Sequence, residues 1–165
     1  SWGGAVTHMA RDFDKTHKRI VESALDQFGR MGFRGTSIRG ICREAGVTNG
    51  AFHAHFRSKE ELFDQLVKPC VSGFDELYGS MAERYMDIAS RGGIMRSLQQ
   101  SLDSVGELIH FVFEHAAAFR LILQDSGGTR YEHFADDVAQ AETKSMMAFM
   151  ERCKPFLGRQ RALGI

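Results

Sequence analysis

Proline is nearly absent from this chain of 165 residues: only Pro69 and Pro155 interrupt it. Sustained alternation of apolar and polar residues is missing too, which excludes a β architecture. No apolar run approaches the ~20 residues that span a bilayer, so no membrane partner is expected. Ser1–Ala10 lack the charged-then-apolar plan of a secretory signal, and Met9 is a candidate natural start. Cysteine is scarce: Cys42, Cys70 and Cys153 are odd in number, far apart and set among apolar neighbours. That pattern excludes a disulfide framework and predicts buried thiols in a reducing cytoplasm. Net charge is also missing, with 21 Lys+Arg against 21 Asp+Glu. The neutrality hides two unlike parts. Residues 1–68 hold 11 basic against 8 acidic residues, leaving 10 against 13 for residues 69–165. A basic N-terminal part beside an acidic remainder fits a small nucleic-acid reader joined to something that does not touch nucleic acid.

What is present is helical periodicity in an ordinary globular composition, 43% apolar and 25% charged. Ile20, Ala24, Phe28 and Met31 predict a first helix from about Asp14, closed by Gly32. Ile38, Ile41, Cys42 and Ala45 stand at i, i+3, i+4, i+7 and predict a short second helix capped by Thr36 or Ser37. Gly46 stops it, and Thr48 caps a third helix with Ala51, Phe52 and Phe56 inward. A fourth helix opens at Ser58, which has capping-box spacing to Glu61. Pro69 is expected to kink or end that helix, with helix resuming to about Ser90 before Gly92-Gly93. The boundary between the two parts falls near Pro69, inside this shared helix. Beyond lie an apolar segment from Ile94 to Val112, a shorter one around Phe119–Leu123, and a long last helix running through Phe134, Met146 and Met150. The expected fold is all-α: a helix-turn-helix domain over residues 10–57, then a helical regulatory and dimerisation domain over 58–165.

The stretch Gly35–Lys59, GTSIRGICREAGVTNGAFHAHFRSK, carries the chemistry. Two short helices joined at Gly46 meet the requirements of a helix-turn-helix, whose second helix presents its N-terminal residues to base edges. Here that end offers Thr48, Asn49 and Gly50, with His53 one turn on. Gly50 lets the backbone approach a sugar-phosphate closely. Thr36 and Ser37 mark one helix N-terminus and Ser58 with Lys59 another, and such ends attract phosphate. A lysine placed against the helix dipole points to an anionic partner.

The run Ile20–Leu66 resembles the TetR family of transcriptional regulators. Gly32, Thr36, Ser37, Arg39, Ile41, Ala45, Gly46, Val47, Thr48, Gly50, His55, Phe56, Lys59, Glu60 and Leu62 fit the family signature in order and spacing. The resemblance implies phosphate contacts from Thr36, Ser37 and Lys59, and groove contacts from Thr48, Asn49 and Gly50. It places His55 at the DNA face and counts Arg39 with the DNA-binding set. His53 stands where the family usually has tyrosine, and its imidazole can still donate to phosphate. Gly40 replaces a better helix former, at a cost of about 1 kcal/mol relative to alanine.

The second part offers Glu107-Leu108-Ile109-His110, a Glu-x-x-His pair of the kind that di-iron bundles use. Such sites need a second pair, and the chain has none, so a metal-dependent bundle enzyme is the weaker reading. An interaction module without DNA binding is the other. Enzymatic activity and a cofactor are not expected. An apolar pocket is expected around Glu107, His110, Phe111, Phe119, Arg120 and Phe134. The segment Ala118–Leu123, followed by Ser126-Gly127-Gly128-Thr129, is similar to a stretch in the family's repressors of unsaturated fatty-acid synthesis, which implies an acyl-CoA or other acyl-chain effector. By resemblance the protein is a homodimeric repressor on a near-palindromic double-stranded operator, released by a small apolar effector. The resemblance implies two further C-terminal helices that build a dimer bundle, so the expectation is either a truncated chain or dimerisation through what remains of the last helices.

Overall fold

A computed structural model of the chain describes residues 2–91 and 94–162; the expected Gly92-Gly93 break lies outside them. Seven α-helices follow one another among the described residues: α1 (Trp2–Gly35), α2 (Ile38–Ala45), α3 (Asn49–His55), α4 (Lys59–Ser90), α5 (Ile94–Glu114), α6 (Ala116–Gln124) and α7 (Phe134–Ala162). The all-α expectation holds; α1 starts at Trp2, well before the expected Asp14, while the ends of α2 and α3 follow the sequence signals. Gly32 leaves the helical region at φ 68°, so α1 is broken there before one last turn to Gly35. Ser37 caps α2, its Oγ accepting from the Gly40 amide at 3.0 Å. Gly46 takes the left-handed conformation at φ 62°, which a Cβ disfavours. Thr48 caps α3 by accepting from the Ala51 amide at 3.1 Å. Pro69 lies within α4, which continues to Ser90 instead of ending.

The chain packs as two compact units, Ser1–Pro69 with Ala117–Glu132, and Cys70–Ala116 with His133–Ile165. One division of the units falls inside α4, after Pro69. The assignment of residues 117–132 to the N-terminal unit runs against chain order.

In the N-terminal unit, Ile20, Ala24 and Phe28 of α1 meet Ile41, Cys42 and Ala45 of α2, Phe52 and Phe56 around α3, and Leu62, Phe63 and Val67 of α4. Burying each large side chain contributes roughly 1.5–3 kcal/mol. Phe28, Phe33 and Phe63 form a ring cluster, Phe63 meeting both others edge-on at 5.1 and 5.3 Å. From α6, Phe119, Leu121 and Ile122 are buried. The loop after it is tied down at several points. The Phe33 amide donates to the Asp125 carbonyl at 2.8 Å, Arg34 pairs with Glu132 at 3.3 Å, and the Tyr131 hydroxyl donates to Asp64 at 2.6 Å. Arg130 also pairs with Asp64. These contacts span up to 98 residues of sequence.

The C-terminal unit brings the second half of α4 together with α5 and α7. A Cβ on Gly73 would lie 2.9 Å from Phe111 Cζ, so glycine there allows close packing on Phe111. Phe74 is buried and meets Phe134 edge-on at 5.7 Å. Phe149 and Cys153 form a small core with Tyr85 and Met86. The apolar residues of α5 and α7 are not all core. Met95, Leu102, Ile109 and Phe113 on α5, and Met146, Met147 and Met150 on α7, are each more than half exposed. All three cysteines are free and buried, and burial pushes the Cys70 thiol up to about 11.

Candidate nucleic-acid interface

The helix-turn-helix is rigidly braced from behind. Ser23 donates to the Ile41 carbonyl at 3.0 Å and Arg19 to the Gly46 carbonyl at 3.1 Å. Buried Gln27 donates to Glu44 at 2.9 Å, and Arg30 reaches the same carboxylate at 2.9 Å. These hydrogen bonds hold Glu44 below the usual carboxylate range, the Gln27 bond foremost. Sequence reasoning missed Gln27 and Ser23, because polar residues on a helix face look solvated until a partner is known. The same bracing explains Gly40. A Cβ there would stand 2.6 Å from Gln27 Oε1 and 3.2 Å from Ser37 Oγ, so the loss in helix propensity is accepted to seat Gln27.

Against that scaffold, Thr48, Asn49, Gly50 and His53 are all exposed, and with them Ser37, Arg39, Arg43 and Arg57. The free end of α3 therefore carries the polar residues that its capping predicts. A Cβ on Gly50 would meet only Thr48 Oγ1, at 3.8 Å, so nothing within the chain requires glycine there.

Three expected contacts are placed otherwise. Thr36 is buried, its hydroxyl donating to the Gly32 carbonyl at 2.8 Å, where it closes the end of α1. His55 is half-buried, its ring 3.8 Å from that of Phe13 and 5.4 Å from that of His17. Burial foremost, and then His17, lower its pKa, so the fold favours the neutral imidazole. Lys59 donates to the carbonyls of Phe33 at 2.7 Å and Thr36 at 2.8 Å, and its ammonium lies 4.1 Å above the Phe33 ring. It closes the C-terminal end of α1, where a cation complements the dipole. Desolvation lowers its pKa. The α4 N-terminus is satisfied internally as well, with the Glu61 amide donating to Ser58 Oγ and the Arg57 amide donating to the Glu61 carboxylate.

The six residues of the expected pocket divide between the two units, Phe119 and Arg120 in the N-terminal one and Glu107, His110, Phe111 and Phe134 in the C-terminal one. Phe119 is buried in the N-terminal unit, and Arg120 donates to the Gly29 carbonyl there at 3.4 Å. Glu107 pairs with Arg84 at 3.1 Å and His110 with Glu114 at 3.3 Å, both on the surface. Phe111 stacks on His115 at 4.2 Å, and Phe134 packs on Phe74. A cavity of about 130 Å³ in the C-terminal unit is lined by Tyr78, Tyr85, Ser104, Leu108, Glu142 and their neighbours.

Residues 20–66 match the family described as bacterial regulatory proteins, tetR family. Among solved structures, the chain is similar to NalD, the secondary repressor of the MexAB-OprM multidrug efflux pump in Pseudomonas aeruginosa. The two are 24% identical with a TM-score of 0.43, over 84% of this chain and 66% of that one. This chain thus spans just under two thirds of the NalD chain's length.

Proposed function

We propose that this protein is a DNA-binding transcriptional regulator, a repressor, that reads double-stranded DNA with the exposed end of α3. The observation that carries this reading is the opposition of faces on the helix-turn-helix. Phe52 and Phe56 are fully buried, while Thr48, Asn49, Gly50 and His53 stand in solvent on a braced frame. Asn49 and Thr48 reach base edges, Gly50 admits the sugar-phosphate, and Ser37, Arg39 and His53 meet phosphates. Selection of bound sequences from a random pool, at several salt concentrations, tests the reading directly. With Asn49→Ala, the preference profile should change at one or two positions, each worth ~1–3 kcal/mol, while stability stays within about 0.5 kcal/mol. A mutant with an unaltered profile would show that α3 does not enter the groove as proposed.

The regulator acts as a homodimer on a near-palindromic operator. Support comes from α5, where Met95, Leu98, Leu102, Val105 and Ile109 are exposed at alternating spacings of three and four. That is the seam of a coiled coil, and a second copy of the chain presents the same seam. Leu102→Lys should convert the dimer to monomer in sedimentation; a dimer of unchanged strength places the interface elsewhere. A small effector binds the C-terminal unit and shifts the population away from the DNA-competent state. The acyl-chain expectation rested on residues 118–129, which pack in the N-terminal unit and do not line the cavity.

A further inference from the structure

Three helices of the C-terminal unit build the cavity with one repeated pattern. Tyr78, Met81, Ala82 and Tyr85 lie at i, i+3, i+4, i+7 on α4, and Ser101, Ser104, Val105 and Leu108 repeat that spacing on α5. Glu142, Ser145 and Met146 follow the first three places on α7. Each helix thus gives a single face to the cavity, with Ser101, Val105, Glu142 and Met146 exposed at its rim.

The lining has a definite chemical character. Glu142 is its one charged group, and no Lys, Arg or His joins it. Two phenol rings one helical repeat apart, two thioethers and three serine hydroxyls complete the polar and polarisable surface. Glu142 and Ser145 line the cavity beside Tyr78. Burial raises the Tyr78 phenol, with the negative charge of Glu142 adding to it, so Tyr78 stays neutral beside the carboxylate. Burial likewise raises Tyr85, whose ring leans on Phe149 at 4.4 Å. A carboxylate beside two fixed aromatic rings is the recognition chemistry of an organic cation: the carboxylate takes the N–H donors, and the ring faces attract the charge. An anionic ligand meets only repulsion from Glu142 and no compensating cation. The volume, about 130 Å³, is close to that of an engineered cavity of ~150 Å³ that takes benzene.

We infer that this cavity binds a small lipophilic amine, a single ring or short apolar chain bearing an ammonium group, with Glu142 as its counter-ion. This assignment rests on the reading of the C-terminal unit as the effector-binding part. It replaces an acyl effector by one of opposite charge.

The test uses the full chain and three probes of one shape: 2-phenylethylamine, 2-phenylethanol and 3-phenylpropanoate. Calorimetry without DNA should show the amine binding about 3- to 5-fold more tightly than either of the others, since Glu142 stands exposed at the cavity's rim and an ion pair at such a carboxylate is worth a factor of that size. Thermal unfolding should shift upward more with the amine than with the alcohol at equal concentration. Glu142→Gln should abolish the preference for amine over alcohol while leaving alcohol binding unchanged, so a misfolded variant is recognised by loss of both. Equal binding of all three probes, tightest binding of the carboxylate, or an amine preference that survives Glu142→Gln would overturn the assignment. Binding of the chain to random DNA in low salt is measured separately. Failure there sinks the regulator reading and leaves the amine result to stand or fall by itself.

Discussion

Replacing Lys59 by methionine should lower the stability of the protein by about 2–3 kcal/mol, and leave the salt dependence of DNA binding by the folded fraction unchanged. Methionine keeps the apolar stem over the Phe33 ring and removes only the ammonium. What is lost is a pair of charge-assisted hydrogen bonds, to the carbonyls of Phe33 and Thr36 at 2.7 and 2.8 Å. Bonds to a charged group contribute ~1.5–3 kcal/mol each, and water replaces part of that at a half-buried site. The melting temperature should fall by roughly 5–10 °C in a chain of this size. The alternative is a phosphate ligand, as the family resemblance implies. Removing one phosphate contact lowers the slope of log affinity against log salt by about one and leaves stability alone. The two outcomes are opposite in both observables. An unchanged melting temperature with a reduced slope returns Lys59 to the DNA contacts.

Lys59 illustrates which part of this protein is legible in its sequence. The helix-turn-helix is legible because its signals are local. Capping residues, the glycine stop at Gly46 and an apolar spacing of three and four act over one or two turns, and the structure realises each of them. The fate of individual polar side chains is not local. Thr36 and Lys59 share a helix-end motif with true phosphate ligands, yet both are drawn to carbonyls at the end of α1, up to 26 residues away. His55 looks outward by motif, but Phe13 supplies an apolar surface that seats its ring. Gly40 reads as a defect until Gln27 is known to occupy the space of its missing Cβ. On α5, periodicity identifies the apolar face without revealing whether a neighbour covers it. The cavity of Tyr78 and Glu142 draws one face from each of three helices, a gathering that no local signal announces.

The placement of α6 leads to a second large effect. Phe119→Ala should cost ~3–5 kcal/mol, the range for emptying a closed aromatic site. Phe119 is 5% exposed, and its neighbours Leu121 and Ile122 are buried with it, all in the unit that holds the helix-turn-helix. Few routes exist for that site to collapse. Leu121 and Ile122 are fixed by a helix whose C-terminal loop is held to Phe33, Arg34 and Asp64 by four separate contacts. Phe113→Ala is the control, since that ring is 76% exposed and its loss should change stability by no more than about 0.5 kcal/mol. The pair separates core from pocket by a second readout. Amine affinity, measured on folded protein well below the melting temperature, should be the same for Phe119→Ala and the unsubstituted chain, because Phe119 does not line the cavity. DNA affinity near the melting temperature should collapse with stability, because the reading helix rests in the same packed unit. A Phe119→Ala protein that keeps its stability within about 1 kcal/mol and loses amine binding would instead make Phe119 part of the effector site, and α6 would then have to be reassigned from scaffold to sensor.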